Sequence, residues 1–454
     1  MPSVFTECLC AAVRTCDGGN AAMRALIGRA IVDTLGVAAA GFAEPVTRLA
    51  LEAYRGNSAA TWSGAVCESE EAAVMIDAIA AHALDFDDVY LDSAIHPSTV
   101  ILPAILRSGR YHAPDDLVAA FGAGLTAAQA VAARVGLGHY HKGWHGTGTI
   151  GAFAAAAAAG RLRKLDERQL ATMFSIVASQ SAGLKVNFGT MTKPAHAGFA
   201  AAAGVRAAHL AQAGFTAAAD IFGPGGYAEL YGTPDGQEEP ADDVYHLRAD
   251  KIALKLYPCC YGTHRLIGIA LDARAKLGPI FQDDSIRIRV TVPKGSIDVL
   301  RYDRPRTGME AKFSAPYSIA VSLLDGLPTL DHFTDAAVAS RSDIKAGMER
   351  IDVIQDPAQD SGGDIEFGTV TLDVIGSDGA TRDHFTRHAI PGSPEDPPAP
   401  ADVMAKFKSV TAIFERAFEK PFPILQQAAD IAEARAWLPE ADTGPAQQRA
   451  TAGR

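Results

Sequence analysis

The sequence is poor in aromatic residues, in cysteine and in positive charge, and two of these shortages exclude a class of protein. Only 7% of its 454 residues are aromatic while 48% are hydrophobic, and alanine supplies most of the apolar mass. The six cysteines are too few for a disulfide framework and form no CxxC pair of the zinc or iron–sulfur kind. With 53 acidic against 41 basic residues, the formal net charge is −12. Because nonspecific nucleic-acid affinity depends on many lysines and arginines, we expect no nucleic-acid partner.

Long apolar runs are also absent from the sequence. No stretch reaches the roughly 18–20 uninterrupted apolar residues that a membrane-spanning helix requires. The N-terminus lacks a basic start followed by an apolar segment. We therefore expect a cytoplasmic protein without a membrane partner, in which any anionic ligand meets a local basic pocket.

The pattern of the chain changes near residue 278. Before that point nearly every segment is rich in alanine, which lets helices approach closely and predicts a tightly packed bundle. The predicted helices cover 21–40, 46–54, 69–85, 97–108, 115–135, 149–161, 166–184, 194–213 and 262–276.

The segment after residue 278 is typical of a small α+β domain. Alternating apolar residues predict a half-buried strand in DSIRIRVTVPKG, and a second strand is predicted in DIEFGTVTLDVIG. Two helical patterns lie between them, SAPYSIAVSLLDG and FTDAAVASRSDIKAGMERI. A Pro-rich linker then leads into helices predicted at 401–416 and near 424–437.

The densest group of ionisable residues is HALDFDDVYLDSAIHPS at 82–98, which contains Asp85, Asp87, Asp88, Asp92 and His96. Neighbouring carboxylates raise one another's pKa unless cations or N–H groups relieve them, so at least one is a candidate for proton transfer. Alternatively, Asp87 or Asp88 caps the helix that opens near Pro97.

A second group, GHYHKGWHGTGTIG at 138–151, places three histidines before a helical run, and His145 immediately precedes it. Its glycines form a GxGxxG arrangement, but no buried apolar strand precedes them, so a dinucleotide site is not favoured. The start of the helix can instead hold a carboxylate beside His145. Metal binding by the histidines is an alternative, although no neighbouring acid completes a usual ligand set.

Two further segments supply positive charge. Lys193 in GTMTKPAHAG stands at a helix start, where a cation is unfavourable for the helix dipole. Anion binding is one explanation, and a solvated surface lysine is the other. In KIALKLYPCCYGTHRLIGIA, Lys255 and His264 are candidates for the same anion site, and Tyr317 in KFSAPYSIAV could reach it from the smaller domain.

Together these segments resemble the MmgE/PrpD family, which includes 2-methylcitrate dehydratases, cis-aconitate decarboxylases and iminodisuccinate epimerases. The matching signatures occur in the family's order and are DFDD…HPS at 85–98, WHGTGTIG at 144–151, TKPAHAG at 192–198, KLYPCCYGTH at 255–264 and FSAPYS at 313–318.

The resemblance implies a mainly α fold and a homodimer. A large all-helical domain would be formed by both chain ends, residues 1–270 plus 396–440, with a smaller α+β lid domain, 271–395, inserted between them. Residues 441–454 are predicted to be a disordered tail.

The resemblance also implies a site between the two domains that uses no metal and no other cofactor. Its catalytic positions would be Asp85, His96, His145 and Tyr317. Its substrate-carboxylate-binding positions would be Lys193, Lys255 and His264.

The implied function is a cofactor-independent lyase that removes a proton next to a carboxylate of a small di- or tricarboxylate, as a 2-methylcitrate dehydratase-like hydro-lyase does. An iminodisuccinate-like epimerase or a cis-aconitate decarboxylase on the same scaffold remains open. The reason is that Val89 and Tyr90 stand where the family often has Thr and then His. A non-catalytic carboxylate-binding protein is a third alternative.

Overall fold

The computed structural model describes residues 2–425 apart from 94, 111, 234–235, 237–240, 284, 363 and 365. Its α-helices are α1 (Val4–Thr15), α2 (Ala21–Gly41), α3 (Pro45–Ala53), α4 (Glu70–His82), α5 (Pro97–Ile105), α6 (Pro114–Val135), α7 (Gly138–His141), α8 (Gly146–Leu162), α9 (Glu167–Ala178), α10 (Thr192–Gln212), α11 (Tyr227–Tyr231), α12 (His264–Leu277), α13 (Gly308–Ala311), α14 (Ala315–Leu324), α15 (Asp335–Ser340), α16 (Ser342–Met348) and α17 (Pro400–Phe418). Its strands are β1 (Arg55–Ala60), β2 (Val66–Cys67), β3 (Val89–Tyr90), β4 (Ile252–Ala253), β5 (Arg287–Lys294), β6 (Ile351–Asp360), β7 (Val370–Ile375) and β8 (Thr381–Arg387).

The strands of the described residues form three small sheets. The pairs β1–β2 and β3–β4 are antiparallel. The third sheet has the order β6-β5-β7-β8, with β5 and β6 parallel and the other neighbours antiparallel.

The predicted fold class is wrong, because two of these sheets lie in the part of the chain that was expected to be all-helical. Strands of two residues, such as β3 and β4, are too short to show a period-2 pattern in the sequence. The expected domain boundaries, homodimer and cytoplasmic location stay predictions. The expected disordered tail, and the predicted helix near 424–437 beyond residue 425, lie outside the described residues.

The larger hydrophobic core is built from the early helices together with α17. It contains the buried alanines of α8 and α10, and α17 adds Phe407 and Phe414. Helices α8 and α10 pack closely because their contact residues are small. This packing holds the turn after α4 and the starts of α8 and α10 side by side.

The smaller core lies between the four-stranded sheet and helices α12 and α14. Ile288, Val290 and Val292 of β5 are buried, and the alternating residues Arg287 and Arg289 are exposed. The predicted alternation is therefore confirmed for this strand.

Helix α6 is long and apolar enough to cross a membrane by length and composition alone. However, 83% of its most apolar window is buried inside the fold, as is usual for a core helix of a water-soluble protein. Its length and composition are thus weak support for a membrane span.

Candidate active site

Asp85 lies in the short turn after α4, between two lysine side chains. Its φ of 52° falls in the left-handed region, which residues with a side chain rarely adopt. Its Oδ1 accepts hydrogen bonds from Lys193 Nζ at 2.8 Å and from Lys255 Nζ at 2.5 Å, and all three residues are buried. Although burial acts to raise the pKa of Asp85, the two ammonium groups lower it well below its ordinary value. One carboxylate therefore balances two cations.

His82, the last residue of α4, connects this group to Asp87. Its Nδ1 lies 2.8 Å from Asp87 Oδ2 and its Nε2 lies 2.9 Å from Lys193 Nζ. Because a carboxylate only accepts hydrogen bonds, Nδ1 carries the proton and Nε2 accepts from the ammonium group. Burial lowers the pKa of His82 to about 3, so the ring is neutral at neutral pH.

His96 is held in the same tautomer. Its Nδ1 lies 2.8 Å from the carbonyl oxygen of Asp88 and 3.1 Å from Asp87 Oδ2, and both are acceptors. The proton is therefore on Nδ1, and Nε2 carries a lone pair 3.9 Å from Asp85 Oδ1. Burial lowers the pKa of His96, and the nearby lysines act in the same direction. A neutral imidazole with a free Nε2 is suited to accept a proton.

His145 precedes α8 and packs against the other histidines. Its Nδ1 lies 3.0 Å from His196 Nδ1, and its ring meets that of Phe188 edge to face with centroids 4.8 Å apart. Burial lowers the pKa of His145 well below its ordinary value, and Lys193 adds to the effect. His145 is therefore a third neutral imidazole in this cluster, after His82 and His96.

A narrow cleft of about 70 Å³ opens onto these residues. Four residues predicted from the sequence line it, namely Asp85, His96, His145 and Lys193. Other lining residues include Val89, Tyr140, Lys185, Phe188, Cys260 and Phe313. Lys255 lies behind Asp85 and is wholly buried.

Besides Lys255, two predicted residues do not line the cleft. His264 Nε2 accepts from the Tyr257 N–H at 3.4 Å, and its Nδ1 faces the Cys260 carbonyl oxygen at 3.3 Å, so both ring nitrogens are engaged. Tyr317 borders a separate groove of about 960 Å³, and its hydroxyl donates to the His332 carbonyl at 2.5 Å. The structure therefore corrects the expectation that Tyr317 reaches the site. The roles assigned to the residues on the cleft stay predictions.

The sequence analysis did not identify His82 or the buried lysines Lys312 and Lys406. Both lysines donate hydrogen bonds to backbone carbonyls of the segments that carry the site. Lys312 Nζ donates to the Leu84 carbonyl at 2.7 Å, next to the Asp85 turn. His82 could have been identified from the sequence, because it stands at the start of the acidic segment. Nothing in the sequence around Lys312 marks it as a neighbour of a segment 228 positions earlier.

Lys406 of α17 is the second buried lysine. Its Nζ lies 2.7 Å from Asp33 Oδ1 and donates to the carbonyls of Phe86 at 2.7 Å and Lys255 at 2.9 Å. One ammonium group thus joins helix α2 to both segments that carry the Asp85–Lys255 pair.

The GxGxxG glycines lie inside helix α8, not in a loop that follows a strand. A Cβ at Gly148 would come within 2.3 Å of the Ala182 carbonyl oxygen, so glycine is needed for this close contact. The arrangement therefore serves packing, as its lack of a preceding strand suggested.

The cluster also meets the distance requirement for a metal site. One ligand atom from each of His82, Asp85, Asp87 and His96 lies within 4.8 Å of the others. However, Asp85 Oδ1 already accepts from two ammonium groups, and both ring nitrogens of His82 are engaged. A divalent cation here would meet the positive charges of two lysines, which makes this donor set a poor fit for a metal. The absence of a cofactor stays a prediction.

Asp88 supports the first turn of α5. The Ser98 N–H donates to its Oδ1 at 3.2 Å, and Ser98 Oγ contacts its Oδ2. The alternative that Asp88 caps the helix opening at Pro97 is therefore confirmed. Burial raises the pKa of Asp88 to about 8, so this carboxyl is protonated at neutral pH.

We expect Asp88→Asn to raise thermal stability, and to do so more as the pH rises from about 5 to about 8. In this window the folded protein keeps a proton on Asp88 that the unfolded chain releases, so wild-type stability falls with rising pH. Asparagine removes this dependence. Melting curves by circular dichroism at pH 5, 6.5, 8 and 9 measure the difference, with the exposed Asp92→Asn as control. A difference for Asp88→Asn that stays flat with pH contradicts the prediction.

Comparison with known proteins identifies the family. A model of the MmgE/PrpD N-terminal domain matches residues 11–238, and a model of the MmgE/PrpD C-terminal domain matches residues 257–430. Among curated proteins, the chain is similar to cis-aconitate decarboxylases. It is 28% identical over 300 residues to that of Mus musculus, covering 62% of this chain and 59% of the mouse protein.

Two further relatives carry the same name. The Homo sapiens cis-aconitate decarboxylase is 27% identical over 335 residues, 68% of each chain. The Aspergillus terreus protein is 23% identical over 291 residues, 58% of this chain and 59% of the relative. The match thus spans less than two thirds of the mouse and fungal proteins. The two domain models nevertheless cover most of the chain, and this protein belongs to the MmgE/PrpD family, as its sequence signatures indicated.

Proposed function

We propose that this protein is a lyase that acts on a small tricarboxylate and moves a proton at a carbon next to a carboxylate. One observation carries the proposal: His96 presents an unprotonated Nε2 to a cleft lined by Lys193 and Asp85, and the Asp85 carboxylate is shared between Lys193 and the buried Lys255 behind it. The family and the names of the decarboxylase relatives support the same class of reaction.

The buried positive charge serves this chemistry in two ways. A carbanion next to a carboxylate spreads its charge onto the carboxylate oxygens, and fixed cations in a cleft with little water stabilise that charge. Lys193 lines the cleft and can bind a substrate carboxylate directly, whereas Lys255 acts from behind Asp85. The carboxylate of Asp85, whose pKa the two ammonium groups lower, positions both cations.

The first candidate reaction is decarboxylation of cis-aconitate, which the names of the relatives favour. The bond between the methylene carbon and its carboxylate breaks, its electron pair forms a new C=C bond, and CO2 leaves. The electrons of the former double bond take a proton at the carbon next to another carboxylate.

His96 is our candidate for the donor of this proton. A bound trianion raises the pKa of His96, because it favours the imidazolium form, so the ring can take up a proton and deliver it. Val89, Phe188 and Phe313 form an apolar part of the cleft wall. Such a surface favours the release of a charged carboxylate as neutral CO2.

The second candidate is dehydration of a hydroxy-tricarboxylate such as 2-methylcitrate, and the neutral state of His96 favours it. A free Nε2 can remove the proton next to a carboxylate while a hydroxyl leaves the neighbouring carbon. Epimerisation of an acid such as iminodisuccinate begins with the same proton removal. No group leaves, and a proton returns to the opposite face of the same carbon.

The decisive experiment is an NMR screen of the purified protein in D2O with cis-aconitate, 2-methylcitrate, citrate and iminodisuccinate. We expect one acid to change. New methylidene signals with CO2 release indicate decarboxylation, loss of a hydroxyl indicates dehydration, and deuterium uptake with an otherwise unchanged spectrum indicates epimerisation. Either of the first two outcomes supports a lyase. Deuterium uptake alone, or unchanged spectra for all four acids, overturns the proposal.

A further inference from the structure

Lys185 is a buried cation on the cleft whose ammonium group contacts neutral partners. The residue is 6% exposed, its Nζ donates to the Tyr140 carbonyl at 2.8 Å, and Nζ lies 3.7 Å from the centre of the Tyr140 ring. Within the described part of the chain it forms no ion pair, whereas Lys193 and Lys255 both contact Asp85. A buried ammonium group without a carboxylate is costly unless an anion binds beside it.

The backbone fixes Lys185 next to His145. The Lys185 N–H donates to the Gly143 carbonyl at 2.8 Å, and the His145 N–H donates to the Gly183 carbonyl at 3.0 Å. Segments 143–145 and 183–185 therefore run side by side, and His145 and Lys185 line the same cleft.

The surroundings of Lys185 leave its charge uncompensated. Burial, together with the charge of Arg301, lowers the pKa of Lys185 to about 8. The charge of Asp298 acts to raise the pKa of Lys185. However, Asp298 and Asp364, the two carboxylates in this part of the cleft lining, are exposed, so water screens their charges. Cys260 could favour the charged form of Lys185 only if its thiol lost a proton. Burial raises the pKa of that thiol to about 11, so Cys260 is neutral at neutral pH.

His141 and Tyr140 complete the ionisable groups that line this part of the cleft. The ring of His141 is exposed, with Nε2 3.1 Å from the Gly362 carbonyl oxygen. Burial raises the pKa of the Tyr140 hydroxyl well above its ordinary value, so it stays neutral. Neither residue supplies a negative charge to Lys185 at neutral pH.

We propose that Lys185 binds a second carboxylate of the substrate, so that the cleft selects acids with at least two carboxylates over monocarboxylates. Lys193 holds one carboxylate near Asp85 and His96, and Lys185 holds another beside His145. The inference rests on the proposed function for the identity of the acid, but the binding itself requires no turnover.

The test measures binding of propane-1,2,3-tricarboxylate, which has neither a double bond nor a hydroxyl group, and of butyrate by isothermal titration calorimetry. We expect Lys185→Met to weaken tricarboxylate binding by about 10–100-fold, as the loss of a charged hydrogen bond does. Butyrate binding should not change. The exposed Lys142→Met is the matched control and should bind both acids as the wild type does. Circular dichroism establishes that each variant is folded.

Lys185→Arg provides a pH readout that a purely structural role would not give. Wild-type affinity for the tricarboxylate should fall above about pH 8 as Lys185 loses its proton. The arginine variant should bind within a few-fold of the wild type at pH 7 and keep its affinity to higher pH, because arginine stays charged.

Four results of the binding experiments would overturn the inference. These are unchanged tricarboxylate binding in Lys185→Met, an equal loss for butyrate, the same decline above pH 8 in Lys185→Arg as in the wild type, or no binding of the tricarboxylate by the wild type. Turnover in the NMR screen with a KM that Lys185→Met leaves unaltered also refutes it, while the proposed function stands. Conversely, Lys185-dependent binding without turnover of any acid supports the inference and refutes the proposed function.

Discussion

Replacing His96 with glutamine should reduce turnover of the acid identified by NMR by about 100- to 10,000-fold, the usual contribution of a general acid or base. Glutamine can still donate a hydrogen bond toward the Asp88 carbonyl, but its amide cannot exchange a proton as Nε2 of His96 does. The loss should therefore appear mainly in kcat. Steady-state kinetics and a melting curve separate it from unfolding.

The matched control is Tyr317→Phe, which should keep turnover within about twofold of the wild type. The Tyr317 hydroxyl donates to the His332 carbonyl beside a separate groove, so its removal leaves the cleft intact. An equal loss in the two variants would show that the cleft is not the reaction site. In a dehydration, where His96 is the base, the acid limb of wild-type kcat/KM should lie below about pH 6.5, because the pKa of His96 is lowered from that ordinary value. In a decarboxylation, where His96 is the proton donor, kcat/KM should instead fall as the pH rises through the same region.

The long helices could be predicted because their composition is uniform and their ends are marked. The expected helix at 115–135 is Pro114–Val135, and the expected helix at 194–213 is Thr192–Gln212. The strands that were missed carry no such signal. Ile351–Asp360 lies at the edge of its sheet, contains a proline and shows no regular alternation of burial. Val89–Tyr90 is defined by its pairing with residues 252–253, which local sequence does not reveal.

The site could be predicted only as far as its motifs are local. Four residues from the conspicuous segments, Asp85, His96, His145 and Lys193, do line one cleft. The tautomer of His96 could not be predicted, because it depends on the Asp88 carbonyl and the Asp87 carboxylate lying on the same side of one ring. Such distances depend on how the chain packs, so they cannot be predicted from the order of the residues.

Tyr90 and Val89 illustrate the same limit. Both depart from the residues that the family often has, and residue order alone does not distinguish their importance. In the structure, Val89 lines the cleft, whereas the Tyr90 hydroxyl donates to Gln129 Oε1 at 2.7 Å inside the larger core. Of the two, Val89 is therefore the one placed to influence the choice of substrate.

Lys406→Met should lower the free energy of unfolding by about 3–5 kcal/mol, the cost of breaking a buried ion pair by removing one partner. The substitution leaves the Asp33 carboxylate buried without its cation. It also removes the hydrogen bonds from Lys406 to the carbonyls of Phe86 and Lys255. Because these bonds hold the segments that carry Asp85 and Lys255, turnover should fall together with stability. Chemical denaturation measures the change, with Lys408→Met on the exposed face of the same helix as control. That control should stay within about 0.5 kcal/mol of the wild type.

A double-mutant cycle with Asp33→Asn separates the ion pair from the two carbonyl contacts. If the pair accounts for most of the loss, the double variant should be clearly less destabilised than the sum of the single variants, because it leaves no unpaired charge behind. Its turnover should nevertheless stay low, since a methionine side chain cannot donate hydrogen bonds to the Phe86 and Lys255 carbonyls. Additive losses in stability would contradict a direct Asp33–Lys406 pair. Full recovery of turnover in the double variant would instead show that the carbonyl contacts do not position Asp85 and Lys255.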